Sequence, residues 1–160
     1  MTLRIGIGYD LHLLDAEGTF LVLGGVRIPH DRGFVAHSDG DVLVHAIIDA
    51  MLGAAGLGNI GQRFPDTDPN LKGADSLVLL ERTKRLVQSA DFSVVNIDSV
   101  IIAEEPKLTP HVDAMRQRLA EVLGIERGRI SIKPKTNETV GAEGRGEAVS
   151  AQAVVLLEER

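Results

Sequence analysis

Cysteine and tryptophan are absent from the 160 residues, and one Tyr and four Phe are the only aromatic side chains. Without cysteine there is no disulfide, thiolate nucleophile, iron–sulfur cluster or Cys-based zinc site. Any transition-metal site must be built from carboxylates and the five histidines, so each histidine needs an account. Positive charge is scarce as well: 17 Lys+Arg stand against 23 Asp+Glu, a net charge of −6. An acidic balance with few stacking rings argues against nucleic acid, which favours a basic face. Long apolar runs are also missing. The longest window free of Lys, Arg, Asp and Glu, Ala50 to Gln62, is rich in Gly and Ala, and a membrane span needs ~20 mainly apolar residues. Met1 to Tyr9 carries no apolar stretch followed by a small-residue cleavage site. The expectation is a soluble, cytoplasmic protein with neither a membrane nor a nucleic-acid partner.

What is present suits one globular domain over residues 1–160, with 44% apolar and 25% charged residues. Leu3 to Tyr9 reads as a first strand in which Gly6 and Gly8 allow close backbone approach. Thr19 to Ile28 reads as two short strands around a Gly24-Gly25 turn. Ser38 or Asp39 is placed to cap a helix from about Asp41 to Ala55, and Gly61 to Gly73 reads as loop. A second helix fits Asp75 to about Ala90, followed by a strand over Val94 to Ala103. Thr109-Pro110 signals a third helix, with Val112, Met115, Leu119, Val122 and Leu123 inward and Gly124 as its stop. Ile130 to Lys135 and Ala148 to Leu157 are the last strands, separated by a glycine-rich segment. The pattern predicts an α+β fold, a single mixed sheet with helices packed on one face.

Chemistry-bearing residues fall in three groups. Asp10 and His12 point to the same side if the first strand continues, and can then chelate one ion; the same Asp-x-His also reads as a chance surface pair. His45 shares a helical face with Asp41 and Asp49, which puts carboxylates within reach of its second ring nitrogen, as a metal-bound His normally needs. Asp10, His12 and His45 together supply two nitrogens and one oxygen, leaving a fourth tetrahedral position open, as in a catalytic zinc site. The third group is Lys133 to Glu138 running into Gly141 to Glu147. Lysines, a hydroxyl and Gly-rich amides can hold phosphate oxygens there, and Glu138 can serve a hard cation; the same stretch also reads as a polar hairpin. Phe64 to Pro69 is either a rigid turn or a hydroxyl-binding loop. Pro106 to His111 is either an anion-receiving helix start or ordinary capping. His30 reads as a surface turn residue and His111 as a first-turn helix residue.

Taken in order, Gly8-Tyr9-Asp10-Leu11-His12, Gly24 to Pro29, Ala36-His37-Ser38-Asp39-Gly40-Asp41 with His45, Phe64 to Asp68, Lys107 and Gly144-Arg145-Gly146-Glu147 resemble the 2-C-methyl-D-erythritol 2,4-cyclodiphosphate synthase family over almost the whole chain. The resemblance implies zinc on Asp10, His12 and His45, and transition-state stabilisation by His37 and Thr136. It implies a second divalent cation, Mg²⁺ or Mn²⁺, on Glu138. Methylerythritol-phosphate contacts then fall on Ser38, Asn59, Gly61, Phe64, Asp66 and Asp68. The cytidine pocket falls on Ala103, Lys107, Leu108, Pro134, Lys135 and Thr136. Arg145 corresponds to a residue lining a central cavity where other members bind isoprenoid diphosphates. The expected assembly is a ferredoxin-like domain in a homotrimer, with active sites between neighbours. Two positions depart from the family pattern. Asn59 stands where Asp is common, keeping a hydroxyl acceptor but losing charge, and Ala142 replaces an aromatic near the central cavity.

The implied reaction is internal phosphoryl transfer: the 2-phosphate of 4-diphosphocytidyl-2-C-methyl-D-erythritol 2-phosphate attacks the β-phosphorus, and CMP leaves. The substrate supplies its own nucleophile, so the protein has to position and neutralise. Two other readings remain at this level. One is a metal-dependent phosphohydrolase using water, the other a zinc-stabilised trimer that binds isoprenoid diphosphates without catalysis.

Overall fold

The computed structural model describes residues 2–160. Strand β1 (Leu3–Asp15) leads to a hairpin of β2 (Phe20–Leu23) and β3 (Val26–Pro29), then to the short β4 (Gly33–Phe34). Helix α1 (Val42–Ala55), the single-turn α2 (Ile60–Arg63) and α3 (Ser76–Ser89) precede β5 (Phe92–Ile102). The chain closes with α4 (Val112–Leu123), β6 (Ile130–Lys135), the short α5 (Gly141–Gly144) and β7 (Ala148–Glu159). The main sheet has the order β4-β1-β7-β5-β6. β7 runs antiparallel to both β1 and β5, while β5 and β6 are parallel across the α4 crossover.

This topology keeps the α+β class but not the ferredoxin-like expectation. The long elements follow β-α-α-β-α-β-β, whereas ferredoxin-like folds follow β-α-β-β-α-β. The difference lies in the later half of the chain: α4 joins β5 to a parallel β6, and β7 then returns between β1 and β5, pairing along nearly all of β1 from Leu3 to Leu13.

Helix α1 is apolar nearly all round, as a helix enclosed by other elements must be. Leu43, Ile47, Ile48, Met51 and Leu52 are fully buried, each worth ~1.5–3 kcal/mol relative to exposure. Its closeness to β1 is set by two glycines. A Cβ on Gly6 would lie 1.9 Å from the Ala50 carbonyl oxygen, and one on Gly8 would lie 1.8 Å from that of Ala46. The bulky neighbours of these glycines therefore face the other way. Ile5 and Ile7 are 73% exposed, and Leu3, Tyr9, Leu13 and Val154 extend the same uncovered apolar face.

The helix cap differs from expectation. Asp41, rather than Ser38 or Asp39, caps α1 by accepting from Val44 N. Its carboxylate also accepts from Gly24 N at 3.0 Å and Gly25 N at 2.8 Å. Both glycines have positive φ, as a two-residue type I′ hairpin turn requires. One carboxylate thus ties the β2–β3 hairpin to the start of α1. Thr109-Pro110 opens a 3-10 turn instead of capping α4 directly, and Val112 and Val122 are only partly buried. The expected loop after Gly61 begins within α2, which has an Asn59–Gln62 capping box, and the later glycine-rich segment contains α5. No helix among the described residues is long and apolar enough to cross a membrane.

Candidate active site

β1 extends past Tyr9, so Asp10 and His12 both lie on the strand, and α1 carries His45 across to them. Asp10 Oδ2 is 3.0 Å from His12 Nε2 and 2.8 Å from His45 Nδ1. The two ring nitrogens are 3.3 Å apart. Zinc bonds of about 2.0–2.1 Å imply a tetrahedral edge of about 3.3 Å. The triangle therefore fits a small metal ion with little adjustment, and its donor set, two imidazoles and one carboxylate, suits zinc.

Electrostatics reinforce the cluster. Burial raises the pKa of Asp10, but hydrogen bonds and charge from His12 and His45 outweigh it and hold the carboxyl at about 2. Burial works against a charged His45, yet the hydrogen bond and charge of Asp10, with Asp41 and Asp39 behind, raise its pKa overall. Asp41 is pushed up to about 6 by burial; backbone N–H groups oppose the rise and the charge of Asp39 adds to it.

The carboxylates expected to hold the second ring nitrogen of His45 do other work. Asp41 caps α1 and the hairpin, and Asp49 accepts from Ile60 N at 2.7 Å, fixing the start of α2. His45 Nε2 instead meets Ser76 Oγ at 2.8 Å and Ser38 Oγ at 3.2 Å. Ser76 escaped the sequence reading because a serine at the start of a helix is an ordinary capping residue.

The cluster opens into a cavity of about 210 Å³. His37, Ser38, Gly61, Phe64 and Asp66 line it, joined by Asp49, expected there only as a partner of His45, and by Tyr9, Ile60, Leu71 and Leu79, which the sequence did not single out as site residues. Two expected residues are turned to local structure. Asn59 Oδ1 accepts from Gln62 N at 2.9 Å, and Asp68 Oδ1 accepts from Asn70 N at 2.9 Å; neither lines this cavity.

The other half of the expected site lies at the ends of β5 and β6. Ile102 pairs with Lys135, and Ala103 N donates to Lys135 O at 3.0 Å, which sets the start of the 103–108 segment beside the end of β6. Ala103 and Leu108 are buried, so their backbone is what they offer a ligand. Lys107, Lys135, Thr136 and Glu138 are exposed, and Pro134 is half-buried. Lys135 and Thr136 border a separate open hollow with Val100 and Ile102. Thr136 Oγ1 donates to Glu138 Oε1 at 3.5 Å and accepts from Glu138 N at 3.4 Å. Arg145 lies elsewhere again, in a bidentate pair with Glu147 at 2.9 and 3.1 Å. It lines a third hollow that includes His30, Arg32 and Glu104.

Fold and cluster together define an α+β domain with a carboxylate–imidazole metal-ligand site at the seam between a strand and a helix. A sequence profile of the YgbB family matches residues 3–158, and the chain belongs to that family. It is 57% identical over 157 residues to the 2-C-methyl-D-erythritol 2,4-cyclodiphosphate synthase of Ralstonia pickettii, covering 98% of this chain and 93% of that one. The Moorella thermoacetica protein of the same name is 55% identical over 158 residues, covering 99% of this chain and 96% of that one. Among solved structures, the bifunctional IspDF of Campylobacter jejuni matches with a TM-score of 0.95 and 40% identity, covering 99% of this chain and 43% of that one. A 2C-methyl-D-erythritol-2,4-cyclodiphosphate synthase in its CDP-bound form matches with a TM-score of 0.89 and 42% identity, covering 97% of this chain and 100% of that one.

Proposed function

We propose that this chain converts 4-diphosphocytidyl-2-C-methyl-D-erythritol 2-phosphate to 2-C-methyl-D-erythritol 2,4-cyclodiphosphate and CMP, in non-mevalonate isoprenoid precursor biosynthesis. In enzyme class this is a CMP-releasing, cyclising phosphorus–oxygen lyase. The observation that carries the reading is the Asp10, His12 and His45 cluster opening into a cavity in a chain 57% identical to a synthase of that name.

Asp10, His12 and His45 would hold Zn²⁺; Glu138, a lone exposed carboxylate, would hold Mg²⁺ or Mn²⁺ together with substrate phosphates. Such ions, when bound, supply Lewis-acid polarisation and charge neutralisation at phosphate oxygens. The protein's own work is positioning. Ser38, Gly61, Phe64 and Asp66 border the cavity beside the cluster and would grip the methylerythritol end. Lys107, with the 103–108 and 134–136 backbone, would grip the cytidine diphosphate end. Fixing both ends brings the 2-phosphate oxygen up to the β-phosphorus and removes most of the entropic barrier to ring closure. As the new P–O bond forms, the bond to the bridging oxygen breaks and the pair leaves with CMP. His37, which lines the cavity, and Thr136 would donate to the oxygens that gain charge.

The active assembly in this reading is a homotrimer with the site between copies. Two features support it. The apolar face of Leu3, Ile5, Ile7, Tyr9 and Leu13 has no cover among the described residues, and such a patch marks an association surface. The metal cluster and the Lys135–Thr136 hollow also share no lining residue. Phosphorus NMR of a reaction supplied with substrate, Zn²⁺ and Mg²⁺ tests the function. The expected products are CMP and a cyclic diphosphate. Inorganic phosphate would indicate a hydrolase instead, and binding of isoprenoid diphosphate near Arg145 without CMP release would indicate a non-catalytic module.

A further inference from the structure

Ser76 is a fully buried hydroxyl that no step above uses. It stands at the first residue of α3, yet that helix is capped by Asp75, which accepts from Leu77 N at 2.9 Å. The Ser76 side chain is therefore free of a capping duty. It connects two other groups instead. On one side it meets His45 Nε2 at 2.8 Å. On the other, Ser76 Oγ donates a short hydrogen bond to Asp39 Oδ1, while Ser76 N donates to Asp39 Oδ2 at 2.9 Å. Asp39 is held in turn by Asp41 N at 3.0 Å and by its own N–H on Ala74 O at 3.2 Å.

We propose that Ser76 is a positioning residue for the metal centre, relaying Asp39 to His45 so that the His45 ring presents Nδ1 to the ion. The inference rests on the reading that Asp10, His12 and His45 bind zinc. Its logic follows from donor count. A hydroxyl has one proton, and Ser76 commits it to the Asp39 carboxylate, so toward His45 the oxygen can only accept. His45 Nε2 must then carry the proton, which leaves the Nδ1 lone pair directed at Asp10 and His12. The partner of the second ring nitrogen decides which nitrogen is free for a metal, and such outer partners orient the ligand and raise its basicity. Ser38 Oγ, at 3.2 Å from the same nitrogen, borders the cavity and can turn toward substrate, whereas Ser76 has no exposure and cannot.

The test measures zinc affinity by chelator competition in wild type, Ser76→Ala and Asp39→Asn. It also follows exchange of the His45 Nε2–H proton by NMR in the zinc-loaded proteins. Loss of an outer partner of this kind typically weakens metal binding ~10–100-fold. Ser76→Ala should fall in that range, with Asp39→Asn following by a smaller factor, and the Nε2–H proton should be protected in wild type and exchange faster in Ser76→Ala. Should Ser76→Ala fail to fold, Asp39→Asn and the wild-type proton carry the test. Zinc affinities within twofold of wild type in the variants, or a zinc-loaded His45 without a proton on Nε2, would overturn the relay. A wild type that binds no zinc would instead overturn the metal reading beneath it.

Discussion

The two halves of the proposed site are built in opposite ways. Around Asp10, His12 and His45 the chain is closely packed: His45 is only 8% exposed, both its ring nitrogens have partners within 3 Å, and glycines let α1 press on β1. At the ends of β5 and β6, Lys107, Lys135, Thr136 and Glu138 all stand in solvent, and the Thr136–Glu138 hydrogen bonds are long, at 3.4–3.5 Å. One half is finished by the folding of a single chain. The other offers a backbone rim and exposed charged side chains.

This contrast ranks the expected effects of mutation. His45→Ala should reduce turnover by ~10³-fold or more, and zinc content, measured by elemental analysis, should fall with it. Normal turnover and zinc content in that variant would remove the metal half from the account. Asp41→Ala removes a helix cap worth ~1 kcal/mol and leaves the Gly24 and Gly25 N–H groups buried without acceptors, at ~1–3 kcal/mol each. The sum is a loss of about 3–7 kcal/mol, to be read from urea denaturation. At the open half, Lys107→Ala should raise KM for the cytidine substrate more than it lowers kcat, because an exposed lysine contributes binding rather than geometry.

Protons provide a subtler comparison. In the metal-free protein the pKa of His45 is raised above 6.5. Its contribution to stability is therefore complete below pH 6.5 and is lost as pH rises through the folded value. Asp41, raised from 3.8 to about 6, adds the same sign between those two values. Zinc needs the unprotonated ligand, so metal affinity must climb over the range where metal-free stability falls. Urea midpoints should decline as pH rises above 6.5 with a chelator present, and the stabilisation added by zinc should grow. Parallel behaviour with and without zinc would mean that His45 is not the shared group.

Much of the closed half was legible from sequence because its logic is local. Alternation on a strand puts Asp10 and His12 on one side, helical spacing puts His45 on one face with Asp41 and Asp49, and Gly6 and Gly8 announce close approach. What escaped depends on contacts distant in sequence. Asp41 won the capping role because the Gly24-Gly25 turn also needed its oxygens, and Asp39 was committed to Ser76, 37 residues away. The strand order turns on β7 entering between β1 and β5 and on β6 running parallel to β5, pairings between distant segments that separate this α+β sheet from a ferredoxin-like one. Ile5 and Ile7 face outward for the same reason that the glycines face inward: α1 occupies the space where their side chains would stand.

The central claim is that a complete site needs the closed half of one copy and the open half of another. Co-refolding two variants, His45→Ala in the closed half and Thr136→Ala in the open half, tests it directly. Each alone should be impaired, Thr136→Ala by ~10²-fold. If sites form between copies, random mixing pairs an intact closed half with an intact open half in about a quarter of them, and activity should return to about that fraction of wild type. Activity no higher than the average of the separate variants would contradict the account, because it would mean that both halves must come from one chain.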